Sequence, residues 1–97
     1  MVRFVDAVTV KGRGEVTRIY APLRYSSTDE ERAWGSYRRG IDHYYKREFT
    51  LAVKHLLAAH KAFPDDTVIR MFLLRCRRLI KNPPGSDWTG VVALAEK

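Results

Sequence analysis

Gly40 to Pro64, GIDHYYKREFTLAVKHLLAAHKAFP, is the stretch on which the fold turns. It reads as two antiparallel helices joined by a tight turn. Ala52 and Ala59 are seven apart, two turns along one helical face, and Leu56 stands between them. Gly40 has no Cβ, so a neighbouring helix can come close to it. Pro64 closes the second helix, because it cannot donate a helical hydrogen bond. Small residues set against large ones at this spacing predict a helical hairpin.

Outward from this hairpin the chain keeps a simple order. Ser27-Thr28-Asp29-Glu30 fits a capping box, in which the Ser hydroxyl accepts a backbone N–H and Glu30 reaches back to the Ser27 N–H. The first helix is expected over 28–46, with Trp34, Tyr37, Ile41 and Tyr44 or Tyr45 on its apolar stripe. Gly35 and Gly40 each weaken that helix by about 1 kcal/mol relative to Ala, which implies a packing reason for both. The second helix is expected over 50–63. It turns Ala52, Val53, Leu56, Ala59 and His60 inward, and Lys54, His55 and Lys61 to water. An Asp N-cap after Pro64 opens a third helix over 67–81, which buries Ile69, Phe72, Leu73, Cys76, Leu79 and Ile80. Asn82-Pro83-Pro84-Gly85 stops it. Trp88 and the run Val91-Val92-Ala93-Leu94 then predict a short strap or strand.

At the other end, residues 2–23 read as two strands. Phe4 to Val10 is β-branched and roughly alternating, Lys11 to Gly14 is the turn, and Glu15 to Tyr20 returns. An isolated two-stranded hairpin is marginal in water, so this one must lie on something. The fold class is therefore α+β, mainly helical. The expected division is a hairpin over 1–23 and a helical module with a C-terminal strap over 24–97.

The helical module resembles a tetratricopeptide repeat at Gly40, Ala52, Leu56, Ala59 and Pro64. It departs from that pattern before Gly40, where Ser36-Tyr37-Arg38-Arg39 replaces the usual Trp-x2-Leu-Gly, and at His43, where Tyr is usual. One complete repeat and half of a second leave an apolar edge. The module should lean on the hairpin, on a partner or on a copy of itself.

Composition narrows the function classes. Ninety-seven residues make one small domain with a modest core. No run approaches the roughly 18–20 apolar residues of a membrane span, and the start lacks a signal-peptide core. The single Cys76 can form no internal disulfide, which favours a reducing, cytoplasmic setting. Net charge is +7, which permits acidic proteins, nucleic acid or anionic lipid as partners and selects none.

Individual chemistries fare poorly. Gly12-Arg13-Gly14 begins like a phosphate loop, but Thr17 stands at the third glycine and a strand follows. His43, His55 and His60 have no Cys or His at zinc spacing, so no metal site is expected. Cys76 lies on an apolar stripe and reads as a structural thiol. Arg70, Arg77, Arg78 and Lys81 fall near one face of the third helix and form a candidate interaction surface. Arg38, Arg39, Lys46 and Arg47 make a second basic group. The nearby tyrosines sit on the core stripe, so a solvated face or a surface for an acidic protein ranks above a nucleic-acid site. Trp34 and Trp88 read as core anchors.

Taken in order, the pieces resemble the C-terminal end of class III adenylyl/guanylyl cyclases. Val10-Lys11-Gly12-Arg13-Gly14 and Ile19-Tyr20 match the last catalytic strands of that family. Gly40, Tyr44, Phe49, Ala52, Pro64-Asp65-Asp66, Arg75-Cys76, Pro83-Pro84, Trp88, Gly90-Val91 and Glu96-Lys97 match a tail carried by many bacterial-type members. The resemblance implies that the two metal-binding Asp residues, and the Asn and Arg that stabilise the transition state, lie upstream of Val10 and outside this sequence. It also implies a non-catalytic regulatory or interaction module. Mg or Mn, with ATP or GTP, would belong only to an intact parent. Lys11 corresponds to a family lysine that approaches the triphosphate; a solvated turn lysine is the plainer reading. Two other readings stay open: a free-standing adaptor that binds a protein or peptide, and a basic ribonucleoprotein component.

Overall fold

In a computed structural model, which describes residues 1–10 and 14–94, the chain forms two compact units. One comprises residues 1–24 and 86–97, the other residues 25–85. The terminal segment, expected with the helices, belongs instead with the strands, and its pairing explains why.

The first unit is a three-stranded sheet of order β2-β1-β3, with strands β1 (Val2–Val10), β2 (Val16–Pro22) and β3 (Val92–Leu94). β1 and β2 form the expected antiparallel hairpin, with Phe4 opposite Tyr20 and Asp6 opposite Ile19. Val5 is therefore an extra residue, a β-bulge that breaks the alternation of β1. The rings of Phe4 and Tyr20 meet edge to face at 5.8 Å, a cross-strand pair of the kind that stabilises sheets. Gly14, at φ 74°, takes a left-handed conformation before β2 that side chains disfavour. The Leu23 N–H donates to the Met1 carbonyl at 3.0 Å and ties the open end of the hairpin. β3 lies on the other edge of β1 and runs parallel to it, pairing Val92 with Val8 and Leu94 with Val10. β1 is thus the central strand. Asp6, Ala7 and Val8 are buried although successive side chains point to opposite faces. β2 is an edge strand, and Val16 to Tyr20 are all exposed.

The second unit holds three helices, α1 (Thr28–Tyr45), α2 (Phe49–Ala62) and α3 (Thr67–Lys81). Ser27 caps α1, its hydroxyl accepting from the Glu30 N–H at 3.1 Å. The reciprocal half of the expected box is shifted by one residue. The Glu30 carboxylate accepts from the Ser26 N–H at 2.8 Å and the Ser26 hydroxyl at 2.7 Å, not from Ser27. Both contacts lower the Glu30 pKa, because they favour the charged carboxylate. Asp66 caps α3 through the Ile69 N–H at 3.0 Å.

The core of this unit is the seam foreseen in the sequence. Ala52, Leu56, Ala59, Ile69, Phe72 and Cys76 are fully buried. Tyr37, Ile41 and Tyr44 of α1 close the same core. Tyr44 meets Phe72 edge to face at 5.1 Å, and Trp34 stacks on Phe63 at 4.4 Å. Pro64, exposed in the turn after α2, separates α2 from α3. Gly40 has the packing reason expected of it: a Cβ there would stand 2.7 Å from Leu56 Cγ. Gly35 does not. A Cβ at Gly35 would meet only the Arg39 guanidinium, at 3.6 Å.

Two further expectations need correction. Ile80 is 47 % exposed although it lies on the buried stripe of α3, because it falls in the last turn beside an open groove. Trp88 is half-buried, short of a core anchor.

Candidate functional site

α3 carries the most distinctive surface of the helical unit. Its sequence, TVIRMFLLRCRRLIK, contains five cations and no carboxylate. Ile69, Phe72 and Cys76 turn inward. Arg70, Arg77, Arg78 and Lys81 are all exposed. Spacings of seven and eleven place Arg70, Arg77 and Lys81 along one line, and Arg78 flanks it. Leu74, four residues after Arg70, lies on that line and is 57 % exposed. Periodicity found the cations, but not the apolar residue among them. Arg75 stands apart, with its guanidinium 5.2 Å from the centre of the Phe72 ring.

The second basic group does not act as a unit. Arg38 and Lys46 are exposed, and Arg39 donates to the Ser36 hydroxyl at 3.2 Å. Arg47 is structural. It sits at φ 66°, the left-handed position that ends a helix, a place usually held by Gly. Its N–H donates to the Tyr44 carbonyl at 3.1 Å, and the Glu48 N–H donates to the His43 carbonyl at 2.9 Å. That pair of bonds is the Schellman closure of α1. The Arg47 guanidinium then donates to the Gly85 carbonyl at 2.8 Å and the Pro84 carbonyl at 2.9 Å. An open groove of about 320 Å³ lies beside it, lined by Phe49, Thr50, Leu79, Ile80 and the two prolines. Nothing in the local sequence signals this role, because the carbonyls lie almost forty residues away.

The histidines divide. His43 and His55 bridge α1 and α2 as a parallel stack at 5.2 Å. His43 Nδ1–H donates to Glu48 Oε1 at 2.9 Å. Desolvation first, then the charges of His43, Arg39 and Lys54, hold the His55 pKa below its usual value. His55 is therefore half-buried in this stack, not turned to water as its spacing suggested. His60 is half-buried on α2, and its Nδ1 has no hydrogen-bond partner among the described residues. Among the described residues, no three His, Cys, Asp or Glu side chains stand together as a metal site. Burial raises the Cys76 thiol to about 11, which keeps it protonated and unreactive at neutral pH. Tyr37 and Tyr44 are buried, as the core reading of the tyrosines requires. Lys11 lies outside the described residues. No helix among them is long and apolar enough to cross a membrane.

Comparison with known proteins gives one informative likeness. An adenylate cyclase of Dictyostelium discoideum, the terminal-differentiation-specific enzyme, is 27 % identical over 86 residues. The match covers 84 % of this chain but 4 % of that protein, so the chain spans a small fraction of the cyclase's length. No family model matches the chain. No solved structure matches it either.

Proposed function

We propose that this chain is a non-catalytic regulatory or interaction module belonging to a class III adenylyl or guanylyl cyclase, and that it works in the cytoplasm through protein contacts or through the arrangement of cyclase subunits. The observation that carries this reading is the breadth of the cyclase likeness: 84 % of the chain is covered, more than either compact unit alone contains. The motifs of the sheet and the tail point the same way.

Class III cyclisation uses two metal ions that polarise the phosphates and activate the attacking ribose oxygen. Carboxylates must converge to hold them. Among the described residues, several carboxylates already have partners within the chain. Asp66 and Glu30 serve helix starts, Asp29 sits 3.9 Å from Arg32, and Asp6 accepts from the Ala7 N–H at 3.0 Å. Mg or Mn and the nucleotide would bind the upstream catalytic core of an intact parent. Lys11 is the residue here with a direct role to offer, as a point charge near the triphosphate.

The test compares the intact parent cyclase, the parent cut after Tyr20, and a Lys11→Ala parent. The isolated 97 residues are assayed alongside with ATP and GTP. The isolated chain forms no cyclic nucleotide, and the cut parent changes its kinetics or its regulation. Cyclic nucleotide made by the isolated chain overturns the non-catalytic assignment. An unchanged cut parent removes the regulatory one.

A second reading is supported by the compactness of residues 25–85, a helical unit closed by its own core. It is a TPR-like adaptor that binds a protein or peptide. A reading frame without a cyclase domain upstream would favour it.

A further inference from the structure

We propose that the outer face of α3 docks an acidic amphipathic helix of a partner protein. This rests on the reading of the chain as an interaction module and names the partner's chemistry.

The face is built of Arg70, Leu74, Arg77, Arg78 and Lys81, at successive helical turns. From Arg70 to Lys81 it runs about 16 Å, three turns of helix. All five residues are exposed. None of the four cations is held by an ion pair with another described residue. Arg47, by contrast, is held by two carbonyls. α3 itself contains no carboxylate that could neutralise the group. The result is an apolar point set among unpaired positive charges, over a face whose other side is locked in the core.

Charge complementarity selects an acidic occupant. The exposed Leu74 selects one with an apolar side chain to cover it. A helix meets both needs, because residues three and four apart place carboxylates on either side of a leucine. A second copy of this chain is disfavoured, since each copy carries +7 and the approach would be repulsive. Single-stranded nucleic acid binds through aromatic platforms beside its basic groove. This face has none, and Tyr37 and Tyr44 are buried elsewhere. A lipid surface needs a broad apolar stripe, which one leucine does not supply.

The probe is a fluorescent helical peptide of about 15 residues with glutamates flanking leucines on one face. A control peptide has the same composition with the leucines moved to the opposite face. Anisotropy is read with the full chain, with Arg77→Glu/Lys81→Glu, and with Leu74→Ser. All three positions are exposed, and circular dichroism checks that each variant remains helical. The proposal expects the facial peptide to bind more tightly than the control. It expects the double charge reversal to weaken binding roughly tenfold or more, with added salt acting in the same direction. Leu74→Ser weakens it severalfold. Equal binding of the two peptides, or unchanged binding by the variants, overturns the proposal. So does tighter binding of oligo(dT) or of phosphatidylserine vesicles than of the facial peptide. The same charge reversal in a parent cyclase separates the two levels. If deletion beyond Tyr20 alters regulation and the reversal does not, the module reading stands and this face is not its contact.

Discussion

A Cβ on Gly40 would stand 2.7 Å from the Cγ of Leu56, closer than real Cβ contacts come, and Leu56 is fully buried. The two residues share one crossing between α1 and α2. Gly40→Ala must therefore push Leu56 out of a packed seam, and overpacking of this kind costs about 1–3 kcal/mol. The gain in helix propensity, about 1 kcal/mol, offsets part of it. Gly35→Ala meets only the end of the flexible Arg39 side chain and should be neutral or stabilising by up to about 1 kcal/mol. Urea denaturation of the two variants checks the contrast. Equal effects would contradict the close approach.

The two tryptophans should separate in the same way. Trp34 is buried and stacked on Phe63, so Trp34→Ala should cost about 3–5 kcal/mol. Trp88 is half-buried, and Trp88→Ala should cost distinctly less. Thermal melts followed by circular dichroism give the order, and a larger loss at Trp88 would refute it.

Arg47 offers a test of backbone strain against side-chain bonding. Arg47→Ala loses both carbonyl contacts and keeps the left-handed backbone. Arg47→Gly loses the same contacts but relieves the strain, and should be more stable than the alanine variant by about 1 kcal/mol. Alanine matching or exceeding glycine in a denaturant titration would exclude the left-handed closure.

His55 makes stability depend on pH. Its folded pKa lies below the unfolded value near 6.5, so the unfolded chain binds the proton more readily. The stability is fully present above the unfolded pKa and declines as pH falls below it towards the folded value. Desolvation is the main cause, and the charges of His43, Arg39 and Lys54 add to it. His55→Gln should flatten this part of the profile. Stability curves for the two proteins with the same slope between neutral and mildly acid pH would show that His55 is not the titrating group.

Much of this architecture was legible because it depends on local rules. The expected third helix over 67–81 coincides with α3, since an Asp cap and a double-proline stop enclose it. The seam of Ala52, Leu56 and Ala59 followed from helical spacing, and the place of Gly40 in it from its missing Cβ. What stayed hidden depends on distant parts of the chain. The run Val91-Val92-Ala93-Leu94 announced a short strap or strand, but not its parallel partner, which lies at the other end of the sequence. Arg47 reads as one more surface cation until the carbonyls of Pro84 and Gly85 meet it. Ile80 has the right phase for burial, but the groove lined by Phe49 and Pro83 leaves it uncovered. The basic face of α3 was visible as charge, while Leu74 at its centre emerged only from exposure.

The parallel pairing of β1 with β3 also sets an order of events in folding. It joins residues about eighty positions apart, so it closes a long loop at a high entropic cost. The helical hairpin and the β1–β2 hairpin need only short loops, and contacts of low sequence separation form fastest. Formation of the helical unit shortens the path that β3 must search to reach β1. β3 is then the last strand to join, and its amides should be the last to become protected from hydrogen exchange.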